Sequence, residues 1–221
     1  FPGLKSLSGA KRKDQISKLK KGYSHFEDEF RQKGEEAEKM RKFLIAQSSF
    51  GKGNKEKIYP GMGTGDPDIY KAFAWRFWNL LQLKGVIGII LPRNALAAKG
   101  STEWRKHVLD NGDFIELTIG TNNRGWLFDD VHHQESISLI SIQKTGTPDD
   151  VIEIRGPFNS YTEYLTGMQA SGSLIEAEGL KSWSQGASFP VIDSPESFKT
   201  FLKIRSHPNL DNVLNRTWEV R

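Results

Sequence analysis

The sequence predicts an α/β domain preceded by a basic, helical segment. Three observations carry that prediction. Residues 86–92, "VIGIILP", are an unbroken apolar run rich in β-branched residues, the pattern of a strand buried on both faces of a sheet. Helical patterns flank it at 68–82 and 101–111, and further strand-like runs follow at 114–120 and 135–144. Basic residues gather ahead of all of these. Residues 1–60 hold 15 of the 31 Lys and Arg but only 8 of the 27 Asp and Glu.

In chain order, the first 21 residues are polar and lysine-rich, with a short helix expected around 15–20. Phe26, Phe30, Ala37, Met40, Phe43 and Leu44 fall at helical spacing, so a helix is expected from Ser24 to about Gln47. Ser24 reads as its N-cap, with Glu27 three residues later as in a capping box. A glycine- and lysine-rich loop follows. The helix over 68–82 is apolar nearly all round, through Ile69, Tyr70, Ala72, Phe73, Phe77, Leu80 and Leu81, with Gly85 as a C-cap candidate. A helix–strand–helix–strand order makes the first two strands parallel. The loop of roughly a dozen residues before the third strand permits antiparallel pairing there. Residues 147–190 read as loop-rich, with short strands or helical turns. Ser194 and Pro195 open a last helix to Arg205, as N-cap and first helical residue.

The bulk composition narrows the function classes. With 221 residues, 37% hydrophobic and 26% charged, the chain suits one large globular domain or two small ones. It has no cysteine, which excludes a disulfide scaffold and a thiolate zinc site and fits a cytoplasmic protein. No apolar run approaches the ~20 residues that span a bilayer. The start has no apolar signal core and no initiator Met, so a piece of a longer chain is expected. The basic excess suggests an anionic partner, nucleic acid first, with clusters at Lys11, Arg12, Lys13, Lys18, Lys20 and Lys21. A solvated helix face accounts for it equally well.

Candidate sites divide sharply. Gly61, Gly63 and Gly65 resemble a phosphate cradle, but no strand precedes them and no Lys-Ser/Thr closes them. They read instead as a flexible hinge before a helix capped by Asp66 or Asp68. His132 and His133 are adjacent in a loop and point apart, which disfavours a metal site. "PDDVIEIR", 148–155, resembles the acidic pairs of metal-dependent nucleases but has Arg155 where those carry lysine, and reads as a turn followed by a strand. No nucleophile elbow is present.

The stretch "DIYKAFAWRFWNLLQLKGVIGIILPRNAL" resembles the central segment of gamma-class DNA adenine-N6 methyltransferases, especially the type IIG restriction–modification fusions. Asp68, Tyr70, Phe73, Leu80, Leu81, Gly85 and Pro92 match that family's helix-into-strand pattern. "WLFDDVHHQESISLISIQKTG" supplies its next landmark, Phe128, before a hairpin strand. "YPGMGTGDPDIY" and, more loosely, "FPVIDSPESFKTFLKIRSHPNLD" are similar to neighbouring segments of those enzymes. The resemblance implies the C-terminal half of a Rossmann-like methyltransferase sheet. Its fifth and sixth strands would be 86–92 and 114–120, and its antiparallel seventh would form a hairpin with the sixth. It implies S-adenosylmethionine as cofactor, held at Asp68, Tyr70, Phe73 and Pro92, with Phe73 on the adenine ring. It also implies that Phe128 stacks on the target adenine once flipped from the duplex, and that Lys11, Arg12, Lys13, Lys18, Lys20 and Lys21 contact double-stranded DNA.

Two family motifs do not occur here. They are the glycine-containing turn after the first strand and the Asn-Pro-Pro-aromatic motif after the fourth. The expectation is therefore a fragment beginning after that motif, inactive alone. It would comprise a basic helical insertion at 1–58, the second half of the catalytic domain at 59–146, and a linker into the DNA-recognition region at 147–221. The setting would be restriction–modification or phage defence. The alternative is a non-catalytic nucleic-acid-binding module, and an unrelated α/β protein is a further reading. An open half-sheet leaves an unpaired edge, so self-association is also expected.

Overall fold

The computed structural model describes residues 3–4, 6–46, 59–62, 64–65, 67–192 and 194–207. The chain divides into two compact units, Phe1–Ala46 and Gln47–Arg221.

The first unit is two helices, α1 (Gly9–Gly22) and α2 (Ser24–Ala46). Helix α1 is longer than expected because Ala10 to Asp14 propagate it toward the N-terminus. Tyr23 breaks the helices apart with extended backbone angles. Ser24 is the first helical residue of α2 rather than its cap; the Glu27 amide bonds to the Tyr23 carbonyl. Charges on α2 pair along the helix, as in Arg31 with Asp28 and Glu35, and Arg41 with Glu38. Gln47 and the following loop lie outside the described residues.

The second unit orders α3 (Ile69–Leu80), β1 (Val86–Pro92), α4 (Asn94–Ala97), α5 (Thr102–Asn111), β2 (Gly112–Thr121), β3 (Ser136–Lys144), β4 (Val151–Phe158), α6 (Tyr161–Gly167), β5 (Ser173–Glu176), α7 (Ala177–Trp183) and α8 (Pro195–Arg205). The five strands form one mixed sheet in the order β1-β3-β2-β4-β5. β3 is antiparallel to both β1 and β2, so β1 and β2 run parallel with β3 between them. β4 lies parallel to β2 and β5 antiparallel to β4. The sheet therefore runs across residue 146, where the sequence reading placed a boundary. The 148–155 stretch is a turn and a strand, as read. Residues 147–190 hold more regular structure than their weak periodicity suggested, with β4, the four-residue β5 and the seven-residue helices α6 and α7.

Register explains the core. Ile87 and Ile89 of β1 face the same side as Ile142 and Ile140 of β3, and these oppose Phe114 and Leu117 of β2. Trp75 and Trp78 of α3, Trp104 and Val108 of α5, Leu180 of α7 and Phe198 of α8 cover that face. Each such buried side chain stabilises by about 1.5–3 kcal/mol. The other face is covered near Gly120 by Trp126 and Leu127. Across it Ile90 opposes Leu139, which opposes Thr118.

One expectation fails here. β1 is not buried on both faces but lies at the edge of the sheet, with alternate residues exposed; Ile90 is 57% exposed. Separately, α3 carries an exposed apolar stripe of Ile69, Phe73 and Leu80. The helix end also moves: α3 stops at Leu80 with Leu81 as its C-cap, so Gly85 does not close it. Lys84, not Gly85, takes the left-handed conformation, with φ 68°. Ser194 does cap α8, its hydroxyl accepting the Ser197 amide at 3.1 Å.

Candidate functional site

Parallel β1 and β2 both end at one edge of the sheet, and the chain assembles its candidate residues there. Three pieces meet at this edge: the first turns of α3, the segment after β1, and the 122–135 loop between β2 and β3.

The glycine segment before α3 is packed against the protein rather than hinge-like. Met62 is fully buried, and the Trp75 indole donates to the Pro60 carbonyl at 3.0 Å. Gly61 has φ 87°, and a Cβ there would lie 2.8 Å from the Gly100 carbonyl. Gly100 in turn lies against Lys71 of α3, whose side chain is buried. Gly63 and Asp66 lie outside the described residues. Asp68 occupies the N-cap position of α3 but makes no side-chain cap bond.

The four residues implied as cofactor contacts separate into two kinds. Phe73 is 48% exposed and leans on Phe77 at 5.6 Å between ring centroids, so its ring projects from the outer stripe of α3. Asp68 is exposed. Tyr70 instead packs against the hydrophobic core, and burial raises its hydroxyl pKa above the ordinary value. Pro92 closes β1 opposite Ile137.

Behind this edge sits Arg105 of α5, fully buried. It donates to the carbonyls of Ala95, Ala98, Gly186 and Ala187 at 2.6–3.1 Å for the closest atoms, and to Thr102 Oγ1 at 3.2 Å. Burial pushes the guanidinium down to about 10, so it stays charged at neutral pH. Its cage of carbonyls ties the segment after β1 to residues 186–187. Arginine's fixed fork of donors suits this task, whereas lysine has only three.

Asn122, at the end of β2, organises the loop that carries Phe128. It is fully buried. Its Nδ2 donates to the carbonyls of Phe128 and Val131, both at 2.8 Å. Its Oδ1 accepts the amides of Leu127 at 3.0 Å and Phe128 at 2.9 Å. All four hydrogen-bonding positions of the amide are used. The loop is thus pinned from within, and Phe128 is presented 41% exposed rather than plugged into the core. His132 and His133 stack at 4.4 Å in the same loop.

The basic residues of the first unit are unequal. Helix α1 carries all six cations implied as DNA contacts against one acid, Asp14, whereas α2 is balanced. Arg12 is committed to the Leu4 and Leu7 carbonyls. Lys18 pairs with Asp14 at 2.8 Å, and Lys20 lies over the Phe30 ring at 4.4 Å. Lys11, Lys13 and Lys21 are exposed.

Sequence reasoning did not single out Asn122 or Arg105. An Asn directly after a strand and a lone Arg between Trp104 and Val108 were the only signals. Nor did it single out the aromatic group of Trp126, Phe158, Tyr161 and Tyr164, which converge from segments some 30 residues apart. No protein-family model matches the chain, and no curated protein matches it. Among the described residues no helix is long and apolar enough to cross a membrane.

Proposed function

We propose that the chain is the second half of an adenine-N6 DNA methyltransferase domain, joined to a basic helical segment, from a restriction–modification or phage-defence protein. The observation that carries this reading is the arrangement of β1, β2 and β3. An antiparallel β3 pairs with β2, β1 and β2 run parallel, and the N-terminus of α3 and the Phe128 loop come to the same edge. That is the order the sequence resemblance implies. The exposed edge of β1 beside the apolar α3 stripe supports it further, since it offers a seam for the strands of a first half.

In this reading Phe73 and Asp68, both exposed, would hold S-adenosylmethionine, the ring of Phe73 against its adenine. Tyr70 and Pro92 would shape the wall from behind. The cofactor supplies an electrophilic methyl group. Phe128, held by Asn122, would stack on the flipped adenine and recover part of the few kcal/mol that flipping costs. Positioning the target amine requires the Asn-Pro-Pro-aromatic motif, which the sequence lacks, so this chain by itself does not methylate.

Reading the coding sequence upstream of Phe1 tests the proposal. A glycine-bearing strand-turn and an Asn-Pro-Pro-aromatic motif should be encoded there, and the joined chain should transfer labelled methyl groups to adenine. An open reading frame that starts at Phe1, or a joined chain without transfer, sinks the enzyme reading. The basic face of α1 favours a second reading, a non-catalytic DNA-binding module. It predicts DNA binding with a steep salt slope and no response to S-adenosylmethionine.

A further inference from the structure

On the sheet face away from the helical core a cavity of about 260 Å³ opens. Thr118 and Leu139 of the sheet line it, together with Trp126, Phe158, Tyr161 and Tyr164. We infer that this cavity binds a single unstacked nucleobase, as a stacking position separate from Phe128. The inference rests on the DNA-binding reading above.

Four features point to that ligand. The cavity is smaller than the ~300–1,000 Å³ of sites for drug-sized molecules, so one planar group fills it. Its aromatic rings are already packed against one another: Tyr164 lies 6.2 Å from Trp126, 5.9 Å from Phe158 and 6.4 Å from Tyr161 between centroids. No charged side chain lines it, which disfavours phosphate or carboxylate and favours a neutral heterocycle. The phenol hydroxyls of Tyr161 and Tyr164 can donate to or accept from a base edge.

The walls are fixed in advance. The Trp126 indole donates to the Thr121 carbonyl at 2.6 Å, which sets the ring plane. A Cβ at Gly120 would lie 2.8 Å from Leu127 Cδ1 and 3.2 Å from Trp126, so only glycine lets both lie on the sheet. Tyr161, 61% exposed, stands at the rim as an open stacking surface. Trp126 is two residues from Phe128 on the loop that Asn122 pins. One rigid loop therefore offers two aromatic positions to one distorted strand. Stacking of this kind contributes about 1–3 kcal/mol per base, tolerant of sequence. A proline-rich peptide also favours aromatic grooves, but it needs a longer channel than a cavity of about 260 Å³ provides.

The test compares three ligands on the full chain: a 12-residue oligothymidine, an abasic strand of equal length and charge, and a duplex. Oligothymidine should bind roughly 10- to 100-fold more tightly than the abasic strand. Tyr161→Ala should bring it to the abasic level and leave abasic and duplex binding unchanged, while Tyr161→Phe keeps most of the difference. Duplex binding with equal affinity for the two single strands overturns the base site alone. Equal weakening of all three ligands by Tyr161→Ala does the same, as does tight binding of a proline decamer that Tyr161→Ala abolishes while the two single strands bind alike. Failure of every nucleic acid to bind at low salt overturns the DNA reading and this site with it.

Discussion

Replacing Asn122 with Ala should release the 122–131 loop while leaving the sheet intact. The side chain makes four hydrogen bonds, two as donor and two as acceptor. At ~0.5–1.5 kcal/mol net for each, the four are worth about 2–6 kcal/mol. Phe128 and Val131 are partly exposed, so water reaches the vacated carbonyls once the loop moves. That places the loss near the lower end, about 2–3 kcal/mol, or roughly 4–12 °C in Tm for a unit of this size. Asn122→Asp should cost more than Ala, because it keeps the two accepted bonds but turns an oxygen toward two carbonyl oxygens. Urea unfolding followed by tryptophan fluorescence gives the stability, and amide hydrogen exchange reports the loop. Exchange at Leu127 and Phe128 should accelerate far more than exchange in β2 or β3. An unchanged midpoint with unchanged exchange at those two amides refutes the claim that Asn122 holds the loop. So does an Asp variant as stable as the parent at neutral pH.

Other perturbations separate the remaining elements. Arg105→Lys should destabilise by about 3 kcal/mol or more in urea unfolding, since lysine leaves several of the buried acceptors unmet. Alanine at Lys11, Lys13 and Lys21 together should lower the slope of log affinity against log salt for duplex DNA by up to about 3, measured by anisotropy; an unchanged slope removes α1 from the interface. Ile90→Lys should suppress concentration-dependent association in sedimentation, whereas a parent chain that stays monomeric at high concentration dismisses the open β1 edge as a contact. Lys181 bonds to Asp110 at 2.7 Å and Glu178 at 2.8 Å, which raises its pKa above the ordinary 10.5. Its stabilisation, ~0.2–1 kcal/mol, is present below that value and fades as pH rises through the raised pKa. Lys181→Met should therefore be less stable than the parent at pH 8 and converge with it at strongly alkaline pH.

Strong local patterns survived into the structure and subtle ones did not. β1 and β3 were legible because four or more Ile, Val and Leu sit within each run, and α8 because Ser194 and Pro195 mark its start. The sequence misjudged the environment of β1, since an apolar run looks the same in the middle of a sheet and at its edge. Only pairing partners distinguish the two, and those lie beyond residue 136. The strand of 151–158 was read, but the extension of the sheet to β5 was hidden for a related reason. A four-residue strand such as Ser173–Glu176 carries too few alternations to stand out from a loop. Phe73 and Phe128 were reached through resemblance, and the structure finds both exposed. Arg105 was out of reach because two of its partners, Gly186 and Ala187, lie some 80 positions away, and Asn122 because its local bonds to 127–131 depend on a loop conformation that no pattern in the sequence marks.

The strand order also imposes a schedule on synthesis. Among the described residues β1 has a strand partner only in β3, and Val86 pairs with Gln143, 57 positions later. At ~5–20 residues per second, "VIGIILP" leaves the ribosome roughly 3–11 s before the segment that shelters its edge. The β2–β3 hairpin can zip as soon as both strands emerge, being local, and β1 must then find it across a longer gap. For those seconds both sides of the most apolar strand, not only its outer one, are open to any extended neighbour on the same polysome. A circular permutation that places β1 directly after β3 would shorten that interval.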